Sequence, residues 1–386
     1  MNNKSEIVFT FPACMGGVAS FNYNIINNSH LIKNFRSKVV LIKAKEDNRP
    51  LFLETFTADE VITFNYSHKE NQFFVAKRLN ELLGSAEGAI VTDNALTIAA
   101  ARLFNNPKTV FHLIHDYFYV NANVRLKDMV DVAIAHSSFF SDAVFASQPS
   151  LFARRSFYIP YGVDQVANLP EKNHDVLNLV FLGRLDSGKG VMLLHEMETI
   201  LRKKNIAVNW TIIGKGPLKS DLIRQWEGKT NVSFHEPDTK DEIYRLLKEQ
   251  DAFVFPTMFE GTPVSILECL ANGVVTITND LPGGIRDIVT EGIGFRCALG
   301  DVNGFVDKIE LLHNDRNLLR QMQDNCLQLA KANYDIQKNA DNYFTLFMQF
   351  EKYRRKNINC SPGMSLLDKK FFPNWLVKII RKVKNR

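Results

Sequence analysis

Cysteine is scarce in this sequence, and its few copies are never clustered. No two of them have the Cys-x-x-Cys spacing, and their number is odd. A disulfide framework is therefore disfavoured as the source of stability, and a zinc site is disfavoured as well. The cysteines are Cys14, Cys269, Cys297, Cys326 and Cys360.

Long hydrophobic runs are also missing. A membrane-spanning helix needs roughly 18 consecutive apolar residues, and no run in this chain approaches that length. The chain opens with Met-Asn-Asn-Lys-Ser-Glu and passes straight into a short strand pattern, which is not typical of a signal peptide. We therefore expect a cytoplasmic protein, and peripheral attachment to the inner face of the cell membrane stays open.

Acidic residues are absent from the last part of the chain, between Lys369 and Arg386, where lysine and arginine recur. Within Phe371–Arg386 a helical projection gathers apolar side chains on one face, with basic residues around them. This pattern predicts a helix that lies on a membrane surface. The alternative is a terminal helix docked on the first domain with its lysines in solvent. The apolar set is Trp375, Leu376, Ile379, Ile380 and Val383.

The chain has 386 residues, of which 45% are hydrophobic and 23% are charged. These proportions indicate a soluble globular protein, and the length favours two domains. Phenylalanine is frequent, with 29 copies. Several lie in polar segments, where an apolar substrate could contact them: Phe118, Phe139, Phe140 and Phe259.

Short apolar runs alternate with helical patterns, which predicts α/β domains with parallel sheets. The first series of strands is expected at Ile7–Phe11, Val39–Ile42, Ala89–Thr92, Thr109–Ile114 and Val132–Ala135. The second is expected at Leu179–Leu182, Trp210–Ile213, Val232–Phe234, Ala252–Phe255 and Val274–Thr278. After Asp301 the chain is predicted to be helical, with a break near Ser361–Gly363.

The expected architecture is two doubly wound, Rossmann-like domains in tandem, followed by C-terminal helices. The Pro- and Gly-containing segment Tyr158–Asp164 marks the boundary. We assign residues 1–163 to the first domain, joined by helices of residues 345–386, and residues 164–344 to the second. Parallel sheets bind ligands outside the carboxyl ends of their strands, so a cleft between the domains is the expected active site.

The densest motif is Phe259–Glu268, which follows a buried strand pattern. Thr262 suits the cap of a helix, and Pro263 suits its first position. The helix N-terminus near Gly261 then favours an anion such as phosphate. Glu260 and Glu268 could accept hydrogen bonds from sugar hydroxyls. The alternative is a capped helix with two ordinary surface glutamates.

A second motif, Leu179–Gly190, ends a strand at Gly183 and places two basic residues in the loop that follows. Arg184 can grip a phosphate with two hydrogen bonds, and Lys189 supplies a compact second charge. Together they could neutralise a diphosphate. A solvated loop with two basic residues is an equal alternative, and the spacing of a Walker A loop is absent.

Two glycine pairs follow strands elsewhere. Gly214 and Gly216 would let a base or phosphate approach the backbone, although a tight turn explains them equally well. Gly16 and Gly17 follow the first strand and precede a helix. The third glycine and the downstream acid of a dinucleotide fingerprint are missing, so a nicotinamide cofactor is disfavoured.

Histidine occurs twice in the strand that ends at Asp116. His115, at the carboxyl end, could donate to a substrate hydroxyl. His112 lies nearer the middle of the strand, where a core histidine with a satisfied hydrogen bond is the better interpretation.

Taken in order over about residues 7–345, these segments resemble the retaining glycosyltransferases of family 4, also described as glycosyl transferases group 1, which have the two-domain GT-B fold. The pair Glu260/Glu268 with the upstream Gly-Arg-Leu…Lys-Gly segment is the most specific part of the resemblance. Asp116 and Asp287 depart from the usual residues of that family, which concerns the acceptor side.

The resemblance implies a role for each motif. Glu260 would contact the donor sugar, Glu268 the ribose, and Arg184 with Lys189 the diphosphate, while Gly16 and Gly17 close over it. His115 would act at the reacting sugar. The set implied to bind the donor further includes Gly183, Gly214, Gly216, Gly261, Thr262 and Pro263.

The resemblance also implies partners. The donor would be a UDP-, GDP- or dTDP-sugar, and the acceptor a saccharide or lipid-linked saccharide, as in lipopolysaccharide or capsule synthesis. No metal or other cofactor is expected, and no Asp-x-Asp motif occurs. The alternatives are a nucleotide-sugar epimerase of the same fold and a non-catalytic sugar-nucleotide-binding subunit. A nucleic-acid partner is disfavoured, because only the basic tail favours it.

Overall fold

The computed structural model describes residues 4–166, 175–355 and 365–384. Cys360 and the break expected near Ser361–Gly363 lie outside them. The described chain divides into two compact units: Met1–Pro160 with Ile336–Arg386, and Tyr161–Asp335. Each unit contains one parallel sheet with helices around it.

The first unit contains a seven-stranded sheet in which every pairing is parallel. Its central strands are buried along their whole length, because helices cover both faces of a parallel sheet. The strand order is β3-β2-β1-β4-β5-β6-β7. The strands are β1 (Glu6–Pro12), β2 (Arg36–Ala44), β3 (Glu60–Tyr66), β4 (Gly88–Thr92), β5 (Thr109–Ile114), β6 (Val132–Ala135) and β7 (Ser156–Tyr158).

Helices lie in most of the connections between consecutive strands, as is usual for a parallel sheet. Side-chain oxygens accept hydrogen bonds at several of their N-termini, as at Asn71, Asn94 and Asp116. The helices are α1 (Gly17–Asn28), α2 (Gln72–Leu83), α3 (Ala95–Leu103), α4 (Tyr117–Leu126), α5 (Ser138–Ser147) and α6 (Pro149–Phe152).

The second unit contains a six-stranded parallel sheet of order β10-β9-β8-β11-β12-β13. Its strands are β8 (Leu177–Leu182), β9 (Val208–Ile213), β10 (Val232–His235), β11 (Ala252–Phe255), β12 (Val275–Asn279) and β13 (Gly294–Cys297). Its helices are α7 (Leu193–Lys203), α8 (Lys219–Gln225), α9 (Lys240–Leu247), α10 (Val264–Ala271), α11 (Gly284–Ile288), α12 (Val302–Asn314) and α13 (Arg316–Asn333).

The end of the chain returns to the first unit through α14 (Ile336–Phe347), α15 (Phe350–Tyr353) and α16 (Asn374–Lys384). The ring of Phe347 lies 6.0 Å from that of Phe9 and 5.2 Å from that of Phe111. Phe344 packs on Phe9 as well, at 5.9 Å. The boundary set at residue 344 from the sequence falls inside α14. In the structure the whole helix joins the first unit, because its aromatic face packs on β1 and β5.

The other boundary differs by three residues. The amide of Val163 donates to the carbonyl of Tyr334 at 2.7 Å, so Tyr161–Val163 belong with the second unit. The two Rossmann-like domains and the C-terminal helices are as predicted. No helix in the described ranges has the length and apolar character needed to cross a membrane.

Candidate functional site

The second sheet reverses its strand order between β8 and β11. Strands on either side of such a reversal send their following loops in opposite directions, which opens a crevice at the carboxyl edge. The loop after β8 carries Arg184 and Lys189, and the loop after β11 carries Glu260. The sheet order therefore brings two of the motifs found in the sequence to one place.

Lys189 and Glu260 form an ion pair at this crevice. The Lys189 ammonium donates to Oε1 of Glu260, and the hydroxyl of Thr257 donates to the same oxygen at 3.2 Å. The two side chains are only 23% and 11% exposed. Burial raises the pKa of the Glu260 carboxyl, while the Lys189 charge opposes that shift. The Lys189 Nζ also lies 5.6 Å from the centre of the Phe255 ring.

Asp186 organises the basic loop. Its Oδ1 accepts from the backbone N–H of Lys189 at 3.1 Å, which fixes the short turn Ser187–Lys189. Its Oδ2 accepts from Arg184, whose side chain is 79% exposed. One acid thus holds the lysine backbone in place, and it pairs with a guanidinium that remains open to solvent. The sequence analysis did not single out Asp186, although its spacing of three residues before Lys189 is that of a capping residue.

The glycines of the β8 and β9 loops have a structural explanation. A Cβ added to Gly214 would lie 1.9 Å from the carbonyl oxygen of Gly183. One added to Gly216 would lie 2.4 Å from the carbonyl oxygen of Leu185. The amide of Leu185 in turn donates to the carbonyl of Lys215 at 3.0 Å. Gly214 and Gly216 therefore allow two neighbouring loops to touch, which accounts for both residues without a ligand.

Helix α10 begins one residue later than the motif predicts. Pro263 occupies the N-cap position with extended backbone, and the first helical residue is Val264. The prediction that Thr262 caps the helix is therefore wrong, because Thr262 lies before the cap. The carbonyl of Gly261 accepts from the amide of Gly284 at 2.9 Å, which ties this loop to α11.

Glu268 lies in the second turn of α10, with different neighbours from Glu260. Lys240 lowers its pKa and Asp164 raises it, but burial dominates and raises the pKa to about 7. Lys240 pairs with Asp164 and lies 5.6 Å from the centre of the Tyr244 ring. Glu268 thus belongs to a second cluster of this unit, which Asp164, Lys240 and Tyr244 complete.

The first sheet reverses its order between β1 and β4. Gly16 and Gly17 follow β1, and an added Cβ on either glycine would meet nothing within 4 Å. The chain after β4 supplies Asp93, and the chain after β5 supplies His115. This crevice therefore has an open glycine loop beside an acid and a histidine.

Asp93 and His115 are buried together. Their Oδ2 and Nε2 atoms are 3.8 Å apart, and the side chains are 1% and 6% exposed. Burial raises the pKa of Asp93 to about 7 and lowers the pKa of His115 to about 3. The imidazole of His115 is therefore neutral at physiological pH. Asp93 was not predicted as a site residue, and its position directly after the strand at the reversal is the signal that could have found it.

Other aromatic and histidine side chains surround His115. The rings of His136 and Tyr119 lie 4.7 and 5.0 Å away. His112 bonds Asn123 at 2.9 Å through Nδ1, as expected of a core histidine. Asp116 accepts from the amide of Phe118 at 2.7 Å and so begins α4.

The phenylalanines suggested for an apolar substrate fall into two groups. Phe118 and Phe259 are 71% and 59% exposed. Phe140 lies on the buried face of α5, so its assignment to substrate is wrong, and the neighbouring Phe139 is partly buried. Within the described ranges no three His, Cys, Asp or Glu side chains are grouped so that they could hold a metal ion.

Comparison with known proteins gives a family match for the second unit and a fold for most of the chain. Residues 166–328 match the family model described as glycosyl transferases group 1. The UDP-Gal:alpha-D-GlcNAc-diphosphoundecaprenol alpha-1,3-galactosyltransferase of Escherichia coli is 26% identical over 182 residues, which are 46% of each chain. The N,N'-diacetylbacillosaminyl-diphospho-undecaprenol alpha-1,3-N-acetylgalactosaminyltransferase of Campylobacter jejuni is 29% identical over 159 residues, 41% of each. The chain thus spans under half the length of these two relatives.

A solved structure extends the similarity over most of the chain. HepE from Anabaena, in complex with UDP and glucose, matches 89% of this chain and 99% of its own with a TM-score of 0.70, at 15% identity. At that identity the match establishes the fold. The family model covers the unit that holds Lys189 and Glu260, and the structural match covers both units. The second unit thus matches the glycosyl transferases group 1 family, and the chain has the GT-B fold.

Proposed function

We propose that the protein transfers a sugar from a nucleotide-diphospho-sugar to a saccharide or lipid-linked saccharide, with retention of the anomeric configuration and without a metal ion. The reaction would serve the synthesis of bacterial cell-surface polysaccharide. We place it in the cytoplasm, at the inner face of the cell membrane, where a lipid-linked acceptor is held by its lipid.

One observation carries this proposal. The reversal of the second sheet holds an ammonium, a guanidinium and a buried carboxylate together, in Lys189, Arg184 and Glu260. The two cations suit a diphosphate, and the carboxylate can accept hydrogen bonds from sugar hydroxyls. A nucleotide-sugar presents both groups next to each other. We assign the cluster around Glu268 to the ribose of the donor.

The chemistry follows from that assignment. The bond between the anomeric carbon and the phosphate oxygen breaks, and negative charge grows on the leaving diphosphate. Lys189 and Arg184 would stabilise that charge by electrostatics. Glu260 already accepts hydrogen bonds from Lys189 and Thr257, so we assign it to substrate binding and not to nucleophilic attack. The acceptor hydroxyl would then attack the same face, and its proton would pass to the departing phosphate oxygen.

His115 is assigned to hydrogen bonding in the first unit. Because burial keeps its pKa near 3, the ring is neutral and can donate from one nitrogen to a sugar hydroxyl. Asp93, whose pKa burial raises to about 7, lies next to it as a positioning residue. Gly16 and Gly17 would let the substrate approach the loop after β1.

The relatives favour particular substrates. The name of the E. coli relative specifies UDP-galactose as donor and a diphosphoundecaprenol-linked sugar as acceptor. The name of the C. jejuni relative also specifies a diphospho-undecaprenol acceptor, and HepE binds UDP and glucose. We therefore propose a UDP-sugar as donor ahead of GDP- and dTDP-sugars, and a lipid-linked saccharide as acceptor.

A thermal-shift panel of UDP-, GDP-, dTDP- and ADP-sugars tests the donor. A ligand at 100 times its Kd stabilises the folded state by about 2.7 kcal/mol, which corresponds to roughly 5–11 °C for a domain of this size. We expect that shift with a UDP-sugar, and little shift with the others. No shift with any nucleotide-sugar would contradict the proposal.

Product analysis then separates the alternatives. Incubation of the protein with the bound donor and no acceptor should leave the sugar unchanged, whereas an epimerase would convert it. Addition of a diphospho-undecaprenol-linked saccharide should release UDP and form a glycosidic linkage. The anomeric configuration of that linkage should be the same as in the donor sugar. An inverted linkage would overturn the retaining mechanism, and binding without any transfer would indicate a non-catalytic subunit.

A further inference from the structure

Helix α16 is docked on the first unit by one face. Val377 is fully buried, and Oδ1 of Asn374 accepts from the amide of Asn71 at 2.9 Å. Arg381 donates to Asp368 at 2.8 Å. These three residues of the helix are three and four positions apart, so they lie along one side of it. The helix is therefore held in a fixed orientation against the N-terminus of α2.

The opposite side of the helix is apolar and faces solvent. At 100° per residue, Trp375, Ile379 and Val383 project away from Val377. These three side chains are 64%, 54% and 68% exposed, and Phe371, three residues before the helix begins, is 66% exposed. The sequence analysis placed five apolar residues on one face. The structure shows three of them fully outward, while Leu376 and Ile380 are partly buried at its edge.

Positive charge flanks this stripe. Lys370 and Lys382 are exposed, and Lys378 lies beside the stripe with its Nζ 3.9 Å from Glu70. The acids near the helix, Glu70 and Asp368, contact its docked side. The sequence from Lys369 to Lys384 contains no acidic residue. Within this segment the outward surface thus consists of large apolar side chains and lysines, without an acidic side chain.

We propose that the outward face of α16 together with the segment just before it, which we define as Phe371, Trp375, Ile379 and Val383 with the flanking Lys370 and Lys382, binds an anionic lipid surface. An interfacial helix immerses such a stripe at the boundary of the acyl chains, while lysines beside it meet anionic headgroups. Because α16 is already folded and docked, binding need not order the helix. The proposal goes beyond the sugar transfer and does not depend on it.

A single fluorescent residue reports on this face. The chain has three tryptophans. Trp210 and Trp226 are 1% and 2% exposed in the second unit, whereas Trp375 is 64% exposed. Vesicles of phosphatidylcholine with phosphatidylglycerol, free of any acceptor, should shift the tryptophan emission to the blue. Brominated acyl chains should quench it. Vesicles of phosphatidylcholine alone should bind at least about tenfold more weakly, and salt should weaken the anionic binding.

Two double variants separate the apolar and the ionic parts. Ile379→Ser/Val383→Ser keeps Trp375 as the probe and should weaken vesicle binding by at least about tenfold, because two exposed aliphatic chains are removed. Lys370→Gln/Lys382→Gln should weaken it about 25-fold, since each lysine near an anionic surface contributes roughly fivefold. The melting temperature should stay unchanged in both, because the replaced side chains face solvent.

Matched controls carry equivalent changes elsewhere. Ile223→Ser/Leu311→Ser removes two exposed aliphatic side chains of the second unit, which are 47% and 38% exposed. Lys203→Gln/Lys331→Gln removes two exposed lysines there. Neither should change vesicle binding by more than about twofold.

Three results would overturn the proposal. The first is equal binding by wild type and both α16 variants. The second is binding without a blue shift of Trp375. The third is a dimer in light scattering that the Ile379→Ser/Val383→Ser variant abolishes while vesicles bind neither protein, which would assign the face to a second copy of the chain.

Discussion

Replacement of Lys189 by methionine tests whether this lysine serves the donor, the fold, or both. Methionine keeps much of the volume of the side chain and removes its charge. The buried carboxylate of Glu260 then retains the hydroxyl of Thr257 at 3.2 Å but loses its cation. Because burial already raises the pKa of Glu260, the carboxyl in the variant should take up a proton at a higher pH than in the wild type.

The magnitude follows from the exposure of the pair. Breaking a fully buried ion pair costs about 3–5 kcal/mol, and an exposed one about 0–1 kcal/mol. With side chains 23% and 11% exposed, this pair lies between these limits. Protonation of Glu260 limits the cost further, so we expect about 2 kcal/mol. For a domain of this size that is a fall in melting temperature of roughly 4–8 °C.

The effect on activity should be much larger. Loss of one group that stabilises a developing oxyanion typically reduces turnover by about 10²–10³. The double variant Lys189→Met/Glu260→Gln separates the two roles, because a neutral amide needs no cation. It should recover most of the melting temperature and none of the activity. Calorimetry measures the melting temperature, and release of UDP in the presence of acceptor measures the activity.

The control is another lysine of the same unit. Lys204 pairs with Glu310 on the surface, and Lys204→Met should leave both activity and melting temperature unchanged. If Lys189→Met keeps its turnover within tenfold of wild type, Lys189 does not hold the diphosphate. If the double variant regains activity together with stability, Lys189 acts only as the counter-ion of Glu260.

Four further predictions concern other parts of the site and the fold. Gly214→Ala should lower the melting temperature of the second unit by several degrees, because its Cβ would overlap a carbonyl oxygen at 1.9 Å. Gly17→Ala meets nothing within 4 Å, so it should melt like wild type yet lose at least about tenfold in turnover if substrate approaches that loop. Burial raises the pKa of Glu268 to about 7, so if its ionised form binds the ribose, the Kd of a UDP-sugar should rise about tenfold between pH 8 and pH 6. Calorimetric titration of Glu268→Gln should show a flat profile, and a flat wild-type profile would refute the assignment. Asp131→Ala should lower the free energy of unfolding of the first unit by about 3–5 kcal/mol in chemical denaturation. The reason is that the buried Asp131 carboxylate pairs with both Arg102 and Arg355, which would lose their shared acid. A loss below about 1 kcal/mol would contradict this.

Most of the strands could be predicted, because fully buried parallel strands appear as continuous apolar runs. Thr109–Ile114 and Val132–Ala135 lie in the structure as the sequence indicates. The strands that escaped prediction are short or half-exposed. Strand β3 lies at the edge of its sheet with every other residue exposed, and β7 has only three residues. Their sequences lack the long apolar run that distinguishes an interior strand.

The residues of the site could be predicted from the sequence better than the contacts between them. Lys189 and Glu260 are 71 positions apart, and no local pattern shows that they touch. Their pairing depends on the neighbouring positions of β8 and β11, which only the strand order of the sheet determines. Asp93 and Asp186 were missed for a related reason. In the sequence, a single acid after a strand looks like any other loop residue. Only the strand order shows that it lies where the order of the sheet reverses.

The two glycine pairs show why residue type alone could not assign the site. In the sequence, both pairs follow a strand and precede a helix, and both suit the approach of a phosphate. The structure separates them by what a Cβ would meet: Gly214 and Gly216 face carbonyl oxygens of their own unit, whereas Gly16 and Gly17 face open space. Neighbouring backbone already fills the space beside the first pair, so these two glycines are explained without a ligand. Only the second pair has room for a substrate, and it lies beside Asp93 and His115 at the reversal of its sheet, just as Lys189 and Glu260 lie at theirs.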